Sequence, residues 1–174
     1  MRKLLIPLTL FFCLAAAAQV RTYGDMETKT FVIGLSNYYF GDAGSLSFLS
    51  GGETVTVTLS GGRILADGEI LLEQAPAGNS LVGAHDFTGD GVPEILAAVR
   101  GKGFIKALIF KRTGGKWLQI GTVGARGDVQ EIRIFRQALT IRDKASDVLY
   151  TWTCHGGRFD FKSSSGGPDP SRDL

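Results

Sequence analysis

Along most of the chain, apolar and polar side chains alternate one by one. Thr54, Thr56 and Thr58 interleave with Val55, Val57 and Leu59, the period of a strand with one face buried. Gly51-Gly52 separates this run from residues 45–50, and Gly61-Gly62 separates it from 63–66. Paired glycines supply the positive φ angles of tight hairpins. Asp67-Gly68 then leads into 69–74. Further strands are predicted over 81–85, 95–100, 104–111, 116–123, 129–136, 138–142, 148–153 and 158–161. Their starts recur every 8–12 residues or so, as in antiparallel sandwiches, barrels and propellers. No window of helical length repeats with the helical period. The pattern therefore predicts a mainly β, single-domain chain. Its antiparallel meander of about 10–12 short strands would be propeller-like or a sandwich or barrel.

Length and composition narrow the class. The chain has 174 residues, 44% of them hydrophobic and 21% charged, which suits one domain with a buried core and excludes a disordered chain. Its 24 glycines are about twice the usual share, and the absence of a Gly-x-y period excludes collagen. Arg2 and Lys3 precede the apolar run Leu4–Leu14, which is followed by Ala15–Ala18. This is the layout of a signal peptide over 1–18, with cleavage after Ala18. Phe12 before Cys13 argues against a lipidated cysteine. The β domain is expected over 19–162, with a loose lead-in at 19–29. The Gly/Pro/Ser-rich segment 163–174 is expected to be a disordered tail. No later run is long enough for an apolar membrane span, so the expected location is periplasmic or secreted.

Charge changes this picture little. Without Arg2 and Lys3 the chain is formally neutral, with seventeen basic and seventeen acidic residues, which argues against nucleic acid as a partner. The distribution is uneven. Residues 42–94 hold eight acidic side chains and one base, Arg63, whereas 95–127 hold seven bases and no acid. The simpler reading sets two oppositely charged regions side by side. The sharper one is a basic face for an anionic polymer. Cys154, alone after cleavage, has no partner for an internal disulfide and reads as a small buried apolar residue.

One segment carries chemistry. In Asp86-Phe87-Thr88-Gly89-Asp90-Gly91-Val92-Pro93-Glu94, oxygen-bearing side chains fall at positions 1, 3, 5 and 9, and the Val92 carbonyl falls at position 7. A tight loop turns its odd positions inward, where Asp86, Thr88, Asp90, Val92 and Glu94 could wrap a hard cation such as Ca²⁺. It is not an EF-hand, because position 12 is Ala97 and the flanks read as strands. The alternative is that Asp86 and Asp90 only hold the turn through hydrogen bonds to its backbone. The nine residues resemble the short calcium loop of FG-GAP and VCBS-type repeats, found in integrin-like and bacterial β-propellers. Thr88 and Glu94 depart from that pattern, and no second copy of the loop occurs. The resemblance implies a calcium-binding, propeller-like β module.

His85 and His155 lack partners at zinc spacing, and no nucleophile elbow or phosphate loop occurs. Asn37-Tyr38-Tyr39-Phe40 reads as a loop, either a contact surface or a plug closing the sheet. Tyr150 and Trp152 share a strand face, read as core. The expected function is that of an exported, soluble, monomeric and non-enzymatic binding module, contacting a protein or glycan of the cell envelope. The alternative is a small periplasmic enzyme or enzyme inhibitor acting through an unrecognised loop. N-terminal sequencing of the exported protein is expected to read from Gln19, within two residues; a chain beginning at Met1 in the cytoplasm would refute export.

Overall fold

The computed structural model describes residues 30–73, 75 and 79–174. The signal peptide expected over 1–18 and the lead-in at 19–29 lie outside the described residues. The described residues begin with two short strands, β1 (Val32–Ile33) and β2 (Asn37–Phe40). A first meander follows: β3 (Gly44–Ser50), β4 (Glu53–Ser60), β5 (Arg63–Ala66) and β6 (Glu69–Leu72). A second contains β7 (Ser80–His85), β8 (Glu94–Gly101), β9 (Phe104–Thr113) and β10 (Lys116–Arg126). The third contains β11 (Val129–Phe135), β12 (Ala138–Asp143), β13 (Val148–His155) and β14 (Arg158–Ser163). The chain is mainly β, as the alternation predicts, and among the described residues the pairings are antiparallel apart from one.

Each meander is a sheet, and the first two strands complete the later sheets. β2 pairs antiparallel with β7, and β1 pairs parallel with β11. The strand orders are β3-β4-β5-β6, β10-β9-β8-β7-β2 and β1-β11-β12-β13-β14. The sheets stack as a sandwich of three layers, and none closes into a barrel. The second sheet lies in the middle. On β8, Leu96 and Ala98 enter the core shared with the β11–β14 sheet, while Ile95, Ala97 and Val99 enter the core shared with the β3–β6 sheet. This explains the unbroken apolar run Ile95–Val99, since a strand covered on both faces has no polar side to present. The outer sheets keep the alternation. β4 buries Val55, Val57 and Leu59 and turns its threonines away from that core. At the β3–β4 hairpin both glycines are left-handed, with φ of 60° at Gly51 and 85° at Gly52, the backbone of a turn whose twist matches the strands.

Two segments differ from the sequence reading. Asn37–Phe40 is an edge strand, not a loop. Its pattern is hard to read because Tyr39 packs towards one core and Phe40 towards the other, while Tyr38 remains 43% exposed. The segment 163–174, expected to be a disordered tail, folds back. A 3₁₀ turn at Pro170–Asp173 packs against β10. Asp169 caps that turn by accepting from Ser171 N and also accepts the Trp152 indole N–H at 3.2 Å. Ser171 is buried. A buried indole N–H needs an acceptor, and composition alone does not reveal that a polar segment supplies one.

Phe87 is fully buried in the core between the middle sheet and the β11–β14 sheet, edge-on to His85 and Phe159. Phe87→Ala is expected to lower stability by about 3–5 kcal/mol in urea unfolding. Phe135→Ala, at a side chain 72% exposed, should change it by less than about 0.5 kcal/mol. Equal effects would contradict this packing.

Candidate metal centre

The loop between β7 and β8 lies at one end of the stack, where all three layers meet. His85 Nε2 is 2.7 Å from the carbonyl oxygen of Arg136, in the β11–β12 turn. Gly89 lies so close to the Gln137 side chain that a Cβ there would overlap its amide. Its φ of 75° is left-handed, so the backbone favours glycine, while the Gln137 side chain could swing aside for a larger residue. On the other side, Ser50 Oγ of β3 donates to the Pro93 carbonyl at 3.2 Å.

Within the loop, every sequence-predicted carboxylate is engaged with backbone amides. Asp86 accepts from Gly89 N at 2.7 Å and Asp90 N at 3.2 Å through Oδ1, and from Gly91 N at 2.9 Å through Oδ2. Asp90 Oδ1 accepts from Val92 N at 3.0 Å. Glu94 Oε2 accepts from Phe87 N at 2.8 Å and Thr88 N at 3.2 Å, and Oε1 accepts from the Thr88 hydroxyl at 2.8 Å. Glu94 is only 1% exposed. The turn-holding role of Asp86 and Asp90 is therefore present. It also leaves lone pairs unused, because a carboxylate has about four acceptor sites.

The structure brings Asp86, Asp90 and Glu94 together. One oxygen from each lies within 4.8 Å of the others, so the cluster could hold a metal ion. Thr88 joins them through its bond to Glu94. The sequence reading missed the cation that is already there. Lys111 Nζ, from β9, lies 2.5 Å from Asp90 Oδ2, 3.0 Å from Thr88 Oγ1 and 3.2 Å from Glu94 Oε1. Three carboxylates and one ammonium leave a formal charge of −2. Burial of Lys111 disfavours its charge. The hydrogen bonds to Asp90 and Glu94, and their negative charge, outweigh this and raise its pKa above that of an ordinary lysine. The hydrogen bond from Lys111, followed by that from Val92 N, holds the Asp90 carboxyl below the usual carboxylate range.

The basic segment 95–127 resolves the same way. Arg112 pairs with Glu53 at 2.6 Å. Arg100 lies over the Phe31 ring at 5.1 Å. Lys106 donates to the Leu174 carbonyl at 2.7 Å, and Arg126 donates to that of Asp173 at 3.3 Å. The two charged regions thus partly neutralise each other. Cys154 is buried, and that burial pushes its thiol pKa up, as suits an unreactive core residue.

Asp90 has a lowered folded-state pKa, so its stabilising effect is fully present above its unfolded value, near 3.8. That effect is lost as pH falls through the lowered value. Lys111 mirrors this: its contribution is complete below about 10.5 and is lost as pH rises through the raised value. The stability gap between the native chain and Asp90→Asn, read by urea unfolding, is therefore expected to stay constant from about pH 5 to 9 and to shrink below about pH 4. A gap unchanged down to about pH 2 would show that the Asp90 charge contributes nothing.

The chain matches no protein-family model, no curated protein and no solved structure.

Proposed function

We propose that this chain is an exported, non-enzymatic β-rich binding module whose Asp86–Glu94 loop takes one Ca²⁺. The observation that carries the reading is the placement of Lys111. Its ammonium is held by oxygens of Thr88, Asp90 and Glu94, so three oxygens already converge on one cationic centre. Once Lys111 is displaced the three carboxylates carry a formal charge of −3, most of which one divalent ion would offset. The proposed ligands are the side chains of Asp86, Thr88, Asp90 and Glu94 and the carbonyl of Val92. For the ion to enter, Lys111 must withdraw, which frees the Thr88 hydroxyl oxygen. Asp90, with a side chain 45% exposed, gives access from solvent. An all-oxygen set suits Ca²⁺, which accepts six to eight oxygens in flexible geometry, better than Mg²⁺, which demands an octahedron and keeps its waters. The resemblance of residues 86–94 to FG-GAP and VCBS-type loops supports the same ion.

On this reading the ion is structural. It would lock the end of the stack where the three layers meet, and the module would present a rigid surface to a protein or glycan of the cell envelope. An ion bound only by the folded chain adds about 2.7 kcal/mol at a hundredfold excess over Kd. About 10 mM calcium is therefore expected to raise the melting temperature by several degrees for a Kd of about 10⁻³ M or tighter, since even tenfold excess adds about 1.4 kcal/mol. Asp90→Ala should abolish the shift while keeping the β circular dichroism spectrum. Lys111→Met removes the competing ammonium and should tighten calcium binding about tenfold in calorimetry. No heat of binding in either the native chain or Lys111→Met, with equal melting temperatures in chelator and in about 10 mM calcium, would leave the loop a hydrogen-bonded turn.

A further inference from the structure

Among the described residues, the six sheet edges are guarded unequally. An edge strand offers a row of free N–H and C=O groups, and proteins protect such rows by shortness, charge, proline, bulges or cover. β1 has two residues and β2 has four. β14 alternates Arg158, Asp160 and Lys162 along its exposed side. β10 carries a register break at Gln119–Gly121 and is packed by the 3₁₀ turn. β6 has four residues, begins with Glu69, and pairs with β5 through a register shift. β3 has none of these devices. It is seven residues, Gly-Ser-Leu-Ser-Phe-Leu-Ser, with no charge and no proline. Its register with β4 runs unbroken from Gly44↔Leu59 to Ser50↔Glu53. Among the described residues, no strand pairs with its other side.

We infer that this edge pairs antiparallel with β3 of a second copy of the chain, across a two-fold axis at Ser47. The two-residue Gly51-Gly52 turn makes Ser50 and Glu53 the pair that exchanges both backbone bonds. Counting back by twos, Phe48, Leu46 and Gly44 also bond towards β4. The N–H and C=O groups of Ser45, Ser47 and Leu49 therefore face the open edge. Antiparallel pairing about Ser47 places Ser47 opposite Ser47, and Ser45 opposite Leu49, with each pair exchanging both bonds. Between them Leu46 meets Phe48 of the second copy in the close, non-bonded register. Both are core side chains, each 8% exposed, so the two apolar cores would run together. On the outer face Leu49, 66% exposed, would gain cover beside Ser45.

Self-matching selects the second copy as occupant, because the two-fold sets Leu46 against Phe48 and serine against serine or leucine, and charge selects β3 over β14 as the edge. The same two-fold operation on β14 would set Asp160 against Asp160 and Arg158 against Lys162, both repulsive. On β3 no charge meets another. The result is an isologous dimer joined by a continuous eight-stranded sheet.

Two double variants test the register. Ser45 and Leu49 are exposed, so changing them leaves the core intact. In Ser45→Lys/Leu49→Glu each introduced cation faces an introduced anion of the second copy. In Ser45→Lys/Leu49→Lys like charges face each other. Sedimentation equilibrium of the purified chain up to about millimolar concentration is expected to show a dimer for the native chain and for the opposite-charge variant. The like-charge variant should be a monomer with the native β circular dichroism spectrum. A native chain that stays monomeric throughout, or two double variants in the same assembly state, would overturn the pairing. Neither result depends on calcium, so failure here leaves the loop reading untouched.

Discussion

A single buried carboxylate holds the end of the stack together. Glu94 opens β8, is almost wholly enclosed, and accepts from Phe87 N, Thr88 N, the Thr88 hydroxyl and the Lys111 ammonium. A carboxylate taken out of water is costly unless each oxygen is matched. Opening the loop would strand this one, so the closed form is strongly favoured over any form that breaks those bonds. Closure has wider consequences. It places Phe87 in the core, sets His85 against the Arg136 carbonyl, and brings Gly89 against Gln137. With Ser50 reaching Pro93 from the far layer, one turn links all three sheets.

Lys111 gives that turn a second property. It is a cation on a flexible tether, less than a third exposed, and it shares the oxygens that a metal would use. A tethered ammonium needs no ordering from bulk solvent, but it brings one charge and at most three donors. A divalent ion brings twice the charge and accepts more oxygens. Calcium affinity would then be the difference between two cations at one set of oxygens. On the proposed reading, that difference would set how strongly the loop responds to calcium.

Much of the fold could be read from the chain. Thr54–Leu59 alternates because one face of β4 is buried, and the Gly-Gly turns mark hairpins directly. Ile95–Val99 could be read as apolar, but not as the middle of three layers, because periodicity says nothing of what covers each face. The parallel pairing of β1 with β11 brings together residues about a hundred positions apart, which no local signal reports. At the site, Asp86, Thr88, Asp90 and Glu94 were legible from spacing. Lys111 was not, for a reason of register. Gly101-Lys102-Gly103 read as a three-residue turn sets Glu94 opposite Phe110. The structure pairs Gly101 with Phe104 and Ile95 with Phe110, a two-residue turn that brings Glu94 to Lys111. A shift of one residue decides whether the carboxylate meets a phenyl ring or an ammonium.

The competition between the two cations can be observed at the lysine itself. In nitrogen-15 magnetic resonance of the chain, calcium addition is expected to shift the amides of Phe87–Glu94 together. The Lys111 ammonium should change in step from a slowly exchanging, hydrogen-bonded group to one exchanging freely with water. Loop amides and a Lys111 signal that stay unmoved at saturating calcium would contradict a shared cation site.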